Sequence, residues 1–229
     1  MIEKQNHTLV TSSNGGASFL FGHKEQVAFI LNCIKTNQIP NAWLFHGPAG
    51  IGKASLALNV AKALSSVGFL KNRSLSHISE KDIRDPNVST HSNNIFFCER
   101  KWDDRKKLFQ KNISIDDIRE LCRKLSLSST DNSYKVCIVD TTEDLNLSAS
   151  NSLLKVLEEP PKKTLFILVS NNKQSILPTI FSRCQKIAFQ RLSEDDLRNI
   201  SMGFLKENQF EQLKKSGALT SCEGSVRKL

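Results

Sequence analysis

Lys53 stands at the end of a glycine-rich segment whose residue types suit the binding of phosphate. Gly47, Gly50 and Gly52 precede it, in the spacing G-x-x-x-x-G-K. Glycines let the backbone turn its N–H groups toward an anion at a helix N-terminus, and the lysine extends to the outer phosphates. Residues 43–45 before the loop are apolar, and the residues after it have helix-forming composition. The sequence predicts a strand, a phosphate-binding loop and a helix in succession.

The residue after Lys53 is Ala54, where the full pattern has a Ser or Thr hydroxyl that holds magnesium. Ser55 comes one residue later, about 100° further round the helix, so its hydroxyl is expected to point elsewhere. We expect a loop that keeps its shape and loses part of its metal chemistry. A simple glycine turn between a strand and a helix is the alternative.

Two further polar groups are expected beside this loop, because parallel strands end at a common edge of their sheet. One apolar run ends on Asp140, where a phosphate-loop protein places its second magnesium contact. An aspartate that only caps the following loop is the alternative. Another apolar run is followed by Asn171. The five predicted strands are residues 43–45, 95–97, 136–140, 165–170 and 187–189.

The rest of the sequence predicts helices that would pack against this sheet. Helices are predicted after residue 23, after the glycine-rich loop, from Ser114, over 149–158 and over 177–181, with Arg183 following the last of these. We divide the chain into a flexible lead-in (1–18), an α/β domain (19–190) and a small, incomplete all-helical domain (191–229).

Composition and residue spacing argue against several kinds of protein and site. With 229 residues, 39% hydrophobic content and a net charge of +9, the chain is typical of a globular protein with a polyanionic partner or setting. No two of the six cysteines have a C-x₂₋₄-C spacing, so no zinc site is expected. The N-terminus lacks a signal-peptide pattern and no long apolar run occurs, so a cytoplasmic location without membrane contact is expected. Residues 99–111, with Trp102, are interpreted as a solvated linker or exposed hairpin, with nucleic-acid contact as the alternative.

Several segments together resemble the clamp-loader subunits of bacterial DNA polymerase III, most closely the delta-prime type, within the AAA+ ATPases. The segments are 21–23, 40–53, 151–161 (NSLLKVLEEPP), 182–184 (SRC) and 223–227. The resemblance covers about residues 20 to 229. It implies a parallel five-stranded P-loop AAA+ sheet flanked by helices, followed by a helical lid.

The resemblance also assigns roles. Asp140 is similar to the Walker B aspartate, after which active motors carry a glutamate that activates water; here Thr141 follows. Loss of a general base costs roughly 10²- to 10⁴-fold in rate. Arg183 resembles an arginine finger offered to a neighbouring subunit, with an ion pair inside its own subunit as the alternative. Asn171 resembles sensor 1 and Arg227 resembles sensor 2.

Two departures from the family pattern bear on these expectations. The region where many relatives carry a four-cysteine zinc module offers only Cys98, which again predicts no zinc. The sequence ends at Leu229, inside the third lid helix, so we expect no collar domain.

The leading hypothesis is a non-hydrolysing stator, without a required cofactor and with weak or absent ATP and magnesium binding. It would not be catalytic alone, although it would be part of the DNA-directed DNA polymerase holoenzyme. Its expected partners are the gamma or tau motor and delta subunits, and indirectly the sliding clamp and primed DNA. An ATP-hydrolysing motor subunit of the same loader and a plain nucleic-acid-binding module are the alternatives.

Overall fold

The computed structural model describes residues 22–67, 74–84, 94–126, 134–201 and 224–225. Its helices are α1 (Lys24–Lys35), α2 (Lys53–Ser66), α3 (Glu80–Arg84), α4 (Ile115–Ser126), α5 (Leu147–Glu158), α6 (Pro178–Arg183) and α7 (Glu194–Ser201). Its strands are β1 (Ala42–His46), β2 (Ile95–Cys98), β3 (Trp102–Asp103), β4 (Leu108–Phe109), β5 (Lys135–Asp140), β6 (Thr164–Ser170) and β7 (Gln185–Ala188).

Five of these strands form one parallel sheet in the order β2-β5-β6-β1-β7. The central strand β6 is buried over its whole length, as expected for a parallel strand covered on both faces. All five strands predicted from the apolar runs are present, with ends shifted by one or two residues. The expected parallel α/β fold is confirmed.

Alternation along the strands divides the core into two layers. One layer joins Trp43, Phe45 and Ile167 to the apolar faces of α1, α2 and α3. The other joins Leu44 and Phe166 to α4, α5 and α6. The sheet therefore separates the helix that follows the glycine-rich loop from the helix that ends at Arg183.

Local signals explain where these helices begin. Ser114 and Asp117 cap α4: the Ser114 N–H donates to Asp117 Oδ2 at 2.8 Å, and the Asp117 N–H donates to Ser114 Oγ at 3.3 Å. The side chain of Asn146 accepts from the Ala149 N–H at 2.8 Å and caps α5. Helix α6 extends two residues beyond its predicted end, so that it includes Arg183.

The helical domain is described only in part. Helix α7 begins as predicted after Ser193, whose hydroxyl accepts from the Asp196 N–H at 3.1 Å. The two later lid helices, the lead-in 1–18 and Arg227 lie outside the described residues. Within the described ranges no helix is both long and apolar enough to cross a bilayer.

Candidate nucleotide site

The glycine-rich loop leaves the sheet at the carboxyl end of β1 and closes on the first turn of α2. Gly47, Gly50 and Gly52 have φ values of 154°, 76° and 96°, which L side chains rarely adopt. A Cβ at Gly47 would lie 2.2 Å from the carbonyl oxygen of Phe189, just beyond β7. The loop therefore has the backbone of a phosphate cradle and is packed directly against the end of a neighbouring strand.

Lys53 is buried, with 3% of its surface exposed, and its ammonium group is held among oxygen atoms. Its Nζ donates to the carbonyl oxygens of Gly47 at 2.9 Å and Pro48 at 2.5 Å, and to Asn171 Oδ1 at 3.0 Å. A buried cation needs such partners to offset its desolvation. The lysine thus ties the loop to the end of β6.

Asp140 and Asn171 lie at the same edge of the sheet as the loop, as the sequence predicts. Strand β6 lies between β5 and β1, and the register pairs Asp140 with Val169 and His46 with Ser170. The Gly47 N–H donates to the Ser170 carbonyl oxygen at 3.3 Å. Lys53, Asp140 and Asn171 therefore lie at the same end of the sheet.

Two positions differ from the expected pattern: one lacks the hydroxyl that would bind magnesium, and the other lacks the carboxylate that would activate water. Ala54, on the first turn of α2, presents a methyl group where magnesium needs a hydroxyl. The hydroxyl of Thr141 donates to Asp144 Oδ2 at 2.7 Å. The glycine loop and Lys53 fit a polyphosphate, whereas the donor set around Ala54 fits magnesium poorly.

Glu143 is a residue at this edge that the sequence analysis did not single out. Its Oε1 accepts from the Asn171 N–H at 2.8 Å, and its Oε2 is buried without a hydrogen-bond partner among the described residues. A carboxylate therefore touches the backbone of the residue whose side chain holds Lys53. The sequence signal was the acidic pair after Thr142, but its position depends on the pairing of β5 with β6.

Two histidines flank the loop, and their tautomers and charges bear on anion binding. His23 Nε2 donates to the Ile51 carbonyl oxygen at 2.7 Å, and its ring meets Phe189 edge to face at 5.0 Å. Burial lowers the pKa of His23, partly opposed by that hydrogen bond. Burial also lowers the pKa of His46, with Lys173 and Lys53 adding to the effect. Neither imidazole adds positive charge at neutral pH.

Arg183 lies at the end of the sheet where the parallel strands begin, whereas Lys53 lies at the end where they finish. It ends α6 just before β7, whose last residue, Ala188, pairs with His46 beside the loop. Five residues at about 3.3 Å each put roughly 16 Å of strand between Arg183 and that edge. The guanidinium is beyond contact with phosphates held by its own Lys53.

The partner of Arg183 within the chain is Glu158, at the end of α5. Arg183 Nη2 lies 2.5 Å from Glu158 Oε1, and its Nη1 donates to the Thr179 carbonyl oxygen at 3.1 Å. The two side chains are 38% and 49% exposed. The intramolecular ion pair weighed in the sequence analysis is present, and its exposure leaves the guanidinium accessible from solvent.

Cys98, considered for a zinc module, is the last residue of β2 and is buried in the layer with α4. Burial, followed by the charge of Asp117, raises the pKa of its thiol to about 12. In the described ranges no three metal-ligating side chains cluster.

Comparison with known proteins identifies relatives across most of the chain. A family model described as "DNA polymerase III, delta subunit" matches residues 22–193. DNA polymerase III subunit gamma of Buchnera aphidicola subsp. Schizaphis graminum is 30% identical over 200 residues, which cover 84% of this chain and 50% of that protein. Subunit tau of Bacillus subtilis is 30% identical over 186 residues, covering 75% of this chain and 28% of that protein. This chain spans half or less of these two relatives.

Among solved structures, two forms of RuvB, the Holliday junction branch migration motor of Thermotoga maritima, share the fold. One aligns with a TM-score of 0.57 and the other with 0.52, each at 16% identity and over 91% of this chain and 59% of that one. At this identity the likeness concerns the fold alone, which is the P-loop AAA+ type.

Proposed function

Since the chain belongs to the DNA polymerase III delta-subunit family, we propose that it is a clamp-loader subunit of the delta-prime type. In this role it does not hydrolyse ATP, and it offers Arg183 to the nucleotide site of a neighbouring subunit. The partners proposed are a gamma or tau motor subunit and delta. The sliding clamp and primed DNA are then reached through the assembled loader.

The observation that carries this proposal is the contrast between the two edges of the sheet. At one edge the loop and Lys53 suit a polyphosphate, but Ala54 and Thr141 stand where a motor needs a metal-binding hydroxyl and a general base. At the other edge Arg183 is exposed and remote from that loop. An arginine finger acts on a neighbour's transferring phosphate and supports roughly 10³- to 10⁵-fold of rate.

The first test concerns the chain's own site. The purified chain is titrated with a fluorescent ATP analogue with and without magnesium, and phosphate release is measured on the same sample. We expect weak binding that magnesium does not strengthen, and no turnover. Ala54→Thr is the matched variant: restoring a hydroxyl should make binding magnesium-dependent. Tight, magnesium-dependent binding with steady hydrolysis by the unaltered chain would refute the proposal.

The second test concerns Arg183 in a reconstituted loader with motor subunits, delta, clamp and primed DNA. Arg183→Ala should lower turnover at the neighbouring site by about 10³-fold or more. Arg183→Lys should recover little, because an ammonium lacks the planar fork. Lys186→Ala, which removes a cation from β7 nearby, is the control and should retain turnover. Equal turnover of Arg183→Ala and the control would contradict the finger role.

One observation favours the motor alternative. Glu143 places a carboxylate at the edge that holds Lys53 and Asn171. If it replaced the missing base, the unaltered chain would hydrolyse ATP and Glu143→Gln would abolish that activity while retaining binding. Under the leading proposal neither form turns ATP over, so the same phosphate-release assay separates the two functions.

A further inference from the structure

Residues 99–111, here called the basic hairpin, form a folded element on the surface. Strands β3 and β4 pair antiparallel, with Trp102 opposite Phe109 and Asp103 opposite Leu108. The segment carries six cationic and three acidic side chains. Of the two interpretations of this segment, a solvated linker or an exposed hairpin, the hairpin is present and has a defined register.

Two of the six cations attach the basic hairpin to the domain. Arg100 Nε lies 2.9 Å from Asp144 Oδ2, in the connection between β5 and α5. Lys101 Nζ lies 2.6 Å from Asp117 Oδ1, in the first turn of α4. These ion pairs connect the base of the hairpin to two segments of the α/β domain.

The tip is organised by Asp103. Its Oδ1 accepts from the backbone N–H groups of Arg105 at 3.0 Å and Lys106 at 3.1 Å, and its carbonyl oxygen accepts from the Lys107 N–H at 2.9 Å. An aspartate that bonds its own turn in this way sets the turn's conformation. Three consecutive cationic side chains are consequently displayed, all exposed.

An aromatic pair lies directly behind this tip. The rings of Trp102 and Phe109 meet edge to face, with centroids 5.0 Å apart, and Trp102 is 42% exposed. Because side chains alternate along a strand, Trp102 lies on the face opposite Lys101, which reaches toward α4. The indole is thus partly exposed and packs against Phe109.

We propose that the basic hairpin binds single-stranded nucleic acid, with Trp102 as a stacking surface for one unpaired base. Arg105, Lys106, Lys107 and Lys111 would contact the phosphates on either side. Aromatic rings stack on any base, and cations track the backbone without reading sequence. An acidic peptide would satisfy the cations but offers no flat ring to Trp102, and a duplex keeps its bases stacked away from it.

The chain carries its own reporter for this contact. It has two tryptophans, and Trp43 is fully buried whereas Trp102 is exposed. Titration of the whole chain with an unlabelled oligothymidylate should quench the exposed indole fluorescence, and Trp102→Phe should remove most of that signal. Trp102→Leu, which keeps apolar bulk against Phe109, should weaken binding by about 5- to 150-fold. Heparin, a polyanion without bases, should bind with little quenching.

Charge is tested by replacing Arg105, Lys106 and Lys107 together with glutamine. Binding of labelled oligothymidylate is then measured between 50 and 200 mM salt. Loss of three phosphate contacts should reduce the slope of log K against log salt by about 2. The control replaces three other exposed cations, Lys24, Lys35 and Lys162, with glutamine and so has the same net charge.

The two sets of variants decide the inference. A reduced slope confined to the hairpin variant, together with quenching of Trp102, supports it. Equal losses in both sets, or binding that leaves Trp102 fluorescence unchanged, overturn it. Neither assay uses ATP or another loader subunit, so its outcome is distinguishable from that of the proposed function.

Discussion

Replacing Gly47 with alanine tests whether the phosphate loop is locked against the end of β7. The new Cβ would lie 2.2 Å from the Phe189 carbonyl oxygen and 3.0 Å from its carbonyl carbon. Carbon–oxygen contacts are comfortable at about 3.3 Å or more, so the two backbones must separate by roughly 1 Å. Neither atom belongs to a flexible side chain that could turn aside.

The cost has two sources. Gly47 has a φ of 154°, which alanine rarely adopts and which would cost it about 1–3 kcal/mol. Moving Phe189 threatens its backbone bond to the His46 carbonyl oxygen, 2.8 Å long, which contributes about 1 kcal/mol, and loosens a buried ring. A loss of about 2–4 kcal/mol is expected.

Urea unfolding followed by circular dichroism measures this loss. With a slope near 2 kcal/mol per molar urea, the midpoint should fall by about 1–2 M. Ala49→Ser, at an exposed position of the same loop, is the control and should stay within about 0.5 kcal/mol of the unaltered chain. A Gly47→Ala midpoint equal to that of the control would refute the idea that the loop and β7 are locked together.

Three further results are expected. Leu168→Ala, in the middle of the buried central strand, should cost about 2–5 kcal/mol in urea unfolding. Burial raises the pKa of Asp117, but hydrogen bonds from Lys101 and Ser114 outweigh it and leave that pKa lowered. The carboxylate therefore stabilises the fold fully above the ordinary carboxyl pKa near 3.8, and this stabilisation is lost as the pH falls below that value. The stability difference between the unaltered chain and Asp117→Asn should therefore shrink on acidification. Cys98, with a pKa of about 12, should resist alkylation by iodoacetamide at pH 8 until the chain is unfolded, as mass spectrometry of its peptide would show.

The sheet was predictable because each parallel strand is a continuous apolar run between polar segments. Residues 165–170 are buried on both faces, so no polar residue interrupts the pattern. The positions of Asp140 and Asn171 followed from the rule that such strands end at a common edge. The sequence therefore predicts the end of the sheet at which Asp140 and Asn171 lie.

The features that sequence reasoning missed depend on contacts between distant segments. Glu143 reaches the Asn171 N–H only because β5 and β6 are neighbours. The sequence analysis ended α6 before its last turn because no apolar residue marks that turn. In the structure Ser182 lies within the helix, and its Oγ donates to the Thr179 carbonyl oxygen at 3.0 Å. An exposed hairpin was one interpretation of residues 99–111, but its register depends on the turn formed by Asp103, which composition alone does not reveal.

Lys53 and Arg183 lie at opposite ends of the parallel strands, so the domain has two unlike ends. If each subunit's nucleotide edge faces the arginine edge of the next, the contact is between different surfaces and the row of subunits has a direction. Under the proposed function, this chain offers an arginine but has a weak nucleotide site, so it would need no neighbour at its own glycine-rich loop. Under the proposed function, the place suited to this chain would be the end of such a row of subunits.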